Sequence, residues 1–329
     1  MDWLVGPWSI EAARRAVDAD DIFTCELPGF TRAPKAKPWQ PYSLLVAESQ
    51  RIASRGYHAA VIARPDHWWG ALLAHAARIP HRFGYAFPEC APFLTTALPP
   101  LPRHHATDQG SRLAAEVARA MGGKPTPIRA RPSFHVEPAE RQAARSLLAS
   151  LSDGRPLVAI HPGSGADLKA WPNRSWHEVV ATLTSRGLGI VLTGSPAEAV
   201  VNKSLCDPHG RQVLDLSGQT PLGALAAIYE RCALVIGVDS GPLHMAAAVG
   251  TPTVRIYGPT DVAEFGPLGD PTLHRALAAN LPCQPCGYLF AAPCGALTTP
   301  ACMRAVSPLE VLAAAQGILD RAVNATPAC

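Results

Sequence analysis

Ile236-Gly-Val-Asp-Ser-Gly-Pro-Leu-His244, running into Met245-Ala-Ala-Ala-Val-Gly250, decides how this chain is read. An apolar β-type run from Ala233 to Val238 stops at an acidic-hydroxyl-glycine turn, and a small-residue helix begins just past Gly241-Pro242. Proline suits the first helical position, and Asp239 and Ser240 are residue types that cap helices. Such a turn aims free backbone N–H groups and the positive end of a helix dipole at one point, where an anion can sit. In an open α/β sheet that point lies beyond the carboxyl ends of the strands, where ligands bind. A lone Asp-Ser-Gly-Pro is an ordinary strand-to-helix turn, but three further strand ends carry the same kind of chemistry.

The first is Ile160-His-Pro-Gly-Ser-Gly-Ala-Asp-Leu-Lys-Ala-Trp-Pro172. Gly163 and Gly165 let backbone N–H groups approach an anion closely, Ser164 adds a hydroxyl donor and Lys169 a movable positive charge. The second is Leu192-Thr-Gly-Ser-Pro-Ala-Glu198, where Thr193 and Gly194 end a strand. Glu198 there is either a cap in the first helical turn or an acceptor for a ribose hydroxyl. In the third, Asp215-Leu-Ser-Gly-Gln-Thr-Pro-Leu-Gly-Ala-Leu225, Thr220 reads as the cap of a helix that opens with Pro221. Four successive glycine- or hydroxyl-rich turns on one sheet edge look like a site for a nucleoside diphosphate.

Strands and helices alternate on both sides of a proline-rich connector, Pro125 to Pro138, which predicts parallel sheets with helices on their faces. Upstream, strands are expected at Trp3 to Val5, Ile22 to Cys25, Ala59 to Ala63 and Phe83 to Tyr85. Downstream they are expected at Leu157 to Ile160, Gly189 to Leu192, Val213 to Leu216, Ala233 to Val238 and Thr253 to Tyr257, with a closing helix from Pro308 to Val323. The expected domains are residues 1–135 and 136–329, with a small-molecule cleft between them. A chain of 329 residues has room for two such cores. With 48% apolar and 17% charged residues, a net charge of +3 and no basic block, nucleic acid is not an expected partner. No apolar run reaches membrane-spanning length and no secretion signal is evident, so a cytoplasmic protein is expected.

Further stretches join these: Tyr257-Gly-Pro-Thr-Asp261, Cys283-Gln-Pro-Cys286 and Cys302-Met303. Together with His161-Pro-Gly-Ser, Lys169-Ala-Trp-Pro172, Asp215-Leu-Ser-Gly-Gln-Thr and Val238-Asp-Ser-Gly-Pro-Leu-His244, they resemble the ADP-heptose:lipopolysaccharide heptosyltransferase family, glycosyltransferase family 9. The resemblance covers essentially the whole second half. It is looser in the first half, through Asp2-Trp-Leu-Val-Gly-Pro, Trp69-Gly-Ala-Leu-Leu-Ala and Phe83-Gly-Tyr85. It implies a GT-B fold, two Rossmann-like domains facing a central cleft, and inverting transfer of a heptose-like sugar from a nucleoside diphosphate, by expectation ADP. The acceptor implied is a lipopolysaccharide-core or related glycan at the inner membrane surface, with the enzyme cytoplasmic or peripheral there. By position, Gly163, Ser164 and Lys169 would meet the diphosphate, and Asp239, Ser240, Gly241 and Pro242 the donor at the helix N-terminus. Glu198 would take the ribose, Thr193 and Gly194 would also belong to the nucleotide-sugar site, and Thr220 would lie near the base. His244 would face the phosphates or the sugar. Lys169 and the helix N-terminus can stabilise the departing diphosphate, so no cofactor is expected for catalysis.

The family opens with a strand and a glycine-rich turn ending in Gly-Asp, whose aspartate is its general base. This chain opens at what reads as the second strand, so the first domain is expected to be incomplete at its N-terminus. Three explanations stay open: a recorded start placed too late, a donor-binding relic without transfer activity, or another base. Asp66 or His67, after the strand at Ala59, can serve as that base, although Asp66 after Pro65 is also a helix-cap type. Gly269-Asp270 follows no buried strand and is not taken as the base. A missing central strand also predicts a gap in the first sheet and weak stability of that half. Asp18-Ala-Asp20, a literal Asp-x-Asp, reads as a solvated loop.

Nine cysteines cannot all pair, which argues against a secreted disulfide framework. Four of them, Cys283, Cys286, Cys294 and Cys302, fall in one Gly/Pro-rich loop. They read either as a structural zinc site or as reduced thiols packing an irregular loop.

Overall fold

The computed structural model describes residues 1–16, 19–28, 37, 39–125, 132–151 and 153–324. Asp18 of Asp18-Ala-Asp20 and the middle of the proline-rich connector lie outside them. The chain divides into two compact units, Met1–Ala130 and Arg131–Cys329.

The first unit holds five short parallel strands: β1 (Asp2–Val5), β2 (Asp21–Thr24), β3 (Ala59–Val61), β4 (His81–Tyr85) and β5 (Thr96–Leu98). They form two separate sheets, β1-β2 and β3-β4-β5. One apolar cluster, with Cys25, Ile52, Ile62, Trp69 and Leu73 buried and Leu4, Phe23 and Ala60 beside them, draws on both sheets. The strand β5 was not expected. Its Thr96-Ala-Leu runs into Pro99-Pro-Leu-Pro and reads as the start of a linker, but its parallel ladder with β4 makes it a strand.

The second unit is built on one sheet: β6 (Leu157–His161), β7 (Gly189–Leu192), β8 (Val213–Asp215), β9 (Leu234–Val238), β10 (Thr253–Tyr257) and β11 (His274–Ala278). All its pairs are parallel, in the order β11-β10-β9-β6-β7-β8. A parallel sheet covered on both faces reads as unbroken apolar runs, and β9, Leu-Val-Ile-Gly-Val, is buried throughout. Side chains alternate between two cores. Ile160, Leu192, Ile236, Val254 and Ile256 pack with Trp176, Leu183, Val311 and Ile318, from the helices Asn173–Ser185 and Pro308–Asn324. Ala159, Val191 and Val235 pack with Ala144, Ala226, Tyr229, Leu243 and Ala246, from the helices Pro138–Leu147, Leu222–Glu230 and Gly241–Ala248. The strand β11 was also missed, since His-Arg-Ala-Leu-Ala has little β character of its own and is held by its register with β10.

Candidate functional site

The chain leaves β6 outward through β7 to β8, returns to β9 beside β6, and continues the other way through β10 and β11. The order therefore reverses between β6 and β9, and the crevice beyond their carboxyl ends is where such sheets bind ligands. The two turns that border it are the His161–Trp171 loop and Asp239-Ser240-Gly241.

Lys169 ends a single 3₁₀ turn, Asp167–Lys169. Trp171 anchors that loop. Its indole N–H donates to the Val306 carbonyl at 2.9 Å, and its ring meets Trp176 edge-on at 4.7 Å. From there Lys169 Nζ donates to the Asp239 carboxylate at 2.6 Å and to its carbonyl at 3.2 Å. The Asp239 side chain is 5% exposed and that of Lys169 15%. Burial pushes the Asp239 carboxyl up, but the His244 hydrogen bond and the charge and hydrogen bond of Lys169 outweigh it and hold the group at about 2. His244 Nε2 faces the other carboxylate oxygen at 3.5 Å, with its ring part-exposed.

The helix Gly241–Ala248 has Pro242 in its first turn, as expected, but its N-cap residue Ser240 makes no side-chain cap bond. The Ser240 hydroxyl is buried without a partner. The capping roles read for Asp239 and Ser240 are therefore corrected: Lys169 and His244 engage the Asp239 carboxylate, and the Ser240 side chain makes no cap bond. An uncapped, positive helix end next to Lys169 is suited to hold an anion.

The other turns divide differently. The Ser164 hydroxyl donates to the Ala166 carbonyl at 2.8 Å and accepts the Ala166 N–H at 3.1 Å, closing its own turn. The Glu198 carboxylate accepts the Ser195 N–H at 2.6 Å in a capping box. It lies across Gly163, where a Cβ would fall 1.3 Å from Oε1, and beside Gly194, where a Cβ would fall 3.0 Å from Oε2. Thr193 is wholly interior. Its hydroxyl lies 3.0 Å from His161 Nδ1 and 3.1 Å from the Tyr229 hydroxyl. Burial lowers the pKa of His161 to about 4, so this internal relay carries a neutral imidazole. Thr220 does not cap its helix, which starts at Leu222 with Pro221 as the uncapped N-cap.

The sequence reading passed over Arg255. It sits 1% exposed in the middle of β10, where the opposite-facing neighbours Val254 and Ile256 are core. Its Nη1 donates to His244 Nδ1 at 3.1 Å and its Nε to the Thr253 hydroxyl at 3.3 Å, while Nη2 is buried without a partner. Burial lowers the guanidinium's pKa, and the nearby Tyr257 and Asp239 hold it up. The signal was available: one arginine in the otherwise uncharged buried strand Thr-Val-Arg-Ile-Tyr.

In the first unit, Asp66 is gripped by Arg64 through Nε at 2.7 Å and Nη2 at 3.2 Å, both side chains more than half exposed. The Arg64 hydrogen bond leads in lowering the Asp66 carboxyl below its usual range, against burial that raises it. His67, not Asp66, occupies the N-cap of the helix Trp68–Ala76, without a side-chain cap bond, and burial lowers its pKa. The zinc reading of the four cysteines is not supported: among the described residues no group of three or more His, Cys, Asp or Glu is gathered closely enough to hold a metal. Cys283 and Cys294 are exposed, whereas Cys302 is turned inward on the short helix Ala301–Arg304, against Gly258. No helix among the described residues is long and apolar enough to cross a membrane.

A parallel doubly wound sheet whose order reverses at a switch point defines a Rossmann-like class of protein. The chain belongs to glycosyltransferase family 9 (heptosyltransferase), whose model matches residues 47–288. It is 30% identical over 232 residues to lipopolysaccharide heptosyltransferase 2 of Salmonella typhimurium, covering 66% of this chain and 63% of that protein. It is 35% identical over 127 residues to lipopolysaccharide heptosyltransferase 3 of Escherichia coli, covering 38% of this chain and 37% of the relative. The aligned stretches thus span under two thirds of these relatives' lengths. Among solved structures, a family 9 glycosyl transferase from Veillonella parvula superposes with a TM-score of 0.73 at 20% identity, over 97% of this chain and 88% of that one. The E. coli ADP-heptose lps heptosyltransferase II gives 0.68 at 20% identity, over 98% and 90%. At that identity the likeness is one of fold, and the fold is GT-B.

Proposed function

We propose that the protein is an inverting glycosyltransferase that moves a heptose-like sugar from a nucleoside diphosphate, ADP in the first instance, to a lipopolysaccharide-core or related glycan. Its place of action in this reading is the cytoplasmic face of the inner membrane. The observation that carries the reading is the Lys169–Asp239–His244 cluster at an uncapped helix start, on the switch point of the sheet. Lys169 spends two of its three N–H donors on Asp239, leaving one for a phosphate oxygen.

In the transfer, an acceptor hydroxyl oxygen attacks the anomeric carbon opposite the diphosphate. The new C–O bond forms as the bond to the phosphate oxygen breaks, and that electron pair leaves with the nucleoside diphosphate. Lys169 and the helix N-terminus meet the charge that develops there. The hydroxyl proton goes to a base, for which Asp66 is the candidate. Arg64 keeps it ionised at neutral pH and also weakens it as a base. Catalysis on these terms asks for no cofactor.

Calorimetric titration with ADP, UDP and GDP, with and without magnesium, tests the donor site. ADP binding without metal, abolished in Lys169→Ala, supports it. A folded chain that binds none of the three overturns it. Binding without turnover, unchanged in Asp66→Asn, would favour the second reading, an inactive nucleotide-sugar binder, which the Arg64 grip on Asp66 also motivates.

A further inference from the structure

We propose that Arg255 is a positioning residue that pins His244 in the tautomer with its proton on Nε2 and turns that N–H toward the open helix start. A guanidinium has only donors, so the ring nitrogen it meets at 3.1 Å must offer a lone pair. Nδ1–H forms of His244, the other tautomer and the imidazolium alike, would set N–H against N–H at this contact. The proton therefore sits on Nε2, the atom that faces Asp239 Oδ1 at 3.5 Å. That distance is at the limit of a hydrogen bond, which leaves the N–H free to turn to a phosphate oxygen placed at the helix start.

The fold shows why an arginine is held there at the cost of burying a charge. On the face of the sheet beneath the helix Gly241–Ala248, Arg255 lies in register with Gly237 of β9 and Ala276 of β11. These small neighbours leave room for the long side chain. A Cβ on Gly237 would itself fall 2.6 Å from the His161 carbonyl oxygen and from Leu243. Thr253 Oγ1 accepts from Nε and lies 3.1 Å from His274 Nδ1. The charged and titratable groups around the pair are thus Asp239, Lys169, Tyr257 and His274. The guanidinium thus meets His244 through Nη1 and Thr253 through Nε, with Tyr257 also holding its charge, while Nη2 is buried without a partner.

Two measurements test this. Nitrogen-resolved NMR of the histidine side chains at pH 8, with His244→Gln to assign the signal, should show His244 in the Nε2–H form. A wild-type ring carrying its proton on Nδ1 overturns the proposal without any Arg255 variant. Arg255→Met, which keeps the bulk and removes the donors, should release the ring to a mixture of tautomers, and Arg255→Lys should restore part of the Nε2–H population. The affinity arm rests on the donor-site reading above, whereas the tautomer arm does not. Arg255→Met should weaken ADP binding about tenfold, and by less than about twofold in a His244→Ala background. Equal losses in both backgrounds, or an unchanged tautomer in Arg255→Met, would show that Arg255 does not act through His244.

Discussion

After β7 the chain turns through Gly194-Ser195-Pro196 and closes on itself, with Glu198 reaching back to the Ser195 N–H. After β9 it turns through Ser240-Gly241-Pro242, and no side chain reaches back. The ingredients are nearly the same, a serine, a proline and a helix start on one sheet edge. The difference is the residue three positions after the serine: Glu198 in one turn, Leu243 in the other. A carboxylate there completes a capping box, whereas Leu243 is drawn fully into the core and leaves the helix start without a lid. The carboxylate that does stand near the open turn, Asp239, is fixed from the side by Lys169 and His244. The two turns are thus distinguished by the cap that one makes and the other lacks.

The sharpest way to break this comparison is at the open turn. Lys169→Ala removes the ammonium paired with the buried Asp239 carboxylate and should cost about 3 kcal/mol in urea unfolding. A loss under about 1 kcal/mol would mean that the ion pair does not anchor the turn. Acid is the next probe. The Asp239 carboxyl lies at about 2 in the folded state, below its unfolded value near 3.9. A group depressed by folding contributes stability above its unfolded pKa and loses it as pH falls through the folded one. About 2 kcal/mol should therefore disappear between roughly pH 4 and pH 2, and Asp239→Asn should remove that part of the acid sensitivity. If the variant's stability falls with acid as steeply as the wild type's, another carboxylate is responsible.

At the closed turn the effect is smaller. In Gly163→Ala the new methyl displaces Glu198 and should cost about 1 kcal/mol of cap energy. In a Glu198→Ala background the same change should be nearly free, and strict additivity of the two costs would rule out the contact. Far from both turns, Cys294→Ser in the exposed loop should move stability by no more than about 0.5 kcal/mol. A larger drop in melting temperature would show that the thiol takes part in something the loop's geometry does not display.

Much of the site was legible in the sequence. Lys169, Asp239 and His244 were each singled out from their turns, and the structure gathers them through Asp239. The four-turn reading overreached where strand periodicity was ignored. Thr193 points into the sheet-helix interior and bonds toward Tyr229, and Thr220 lies one residue too early to cap a helix that starts at Leu222. Neither fact is local: the first depends on which face of β7 each residue occupies, the second on how Pro221 enters the helix. Missing β5 and β11 has a similar cause, because both are made strands by their neighbours' ladders and not by their own residues.

The two units differ in the same way. The second unit's strands also have three to five residues each, but all except β11 are apolar enough to announce themselves, and they join a single parallel sheet. The first unit's five strands have three to five residues each and fall into two sheets around one core. Most of their side chains are only half-buried, so the apolar pattern that would specify their pairing is weak.

By itself the sequence determined the α/β alternation, the glycine-rich strand ends and the residue types a departing diphosphate would need, because periodicity, turn chemistry and charge are written residue by residue. Tertiary structure alone decided that Asp239 is engaged by Lys169 and His244, and that Arg255 reaches His244 from beneath the helix. Those outcomes depend on side chains from distant strands meeting in a low-dielectric interior, where a hydrogen-bonding group must find its partner or bear the full cost of lacking one.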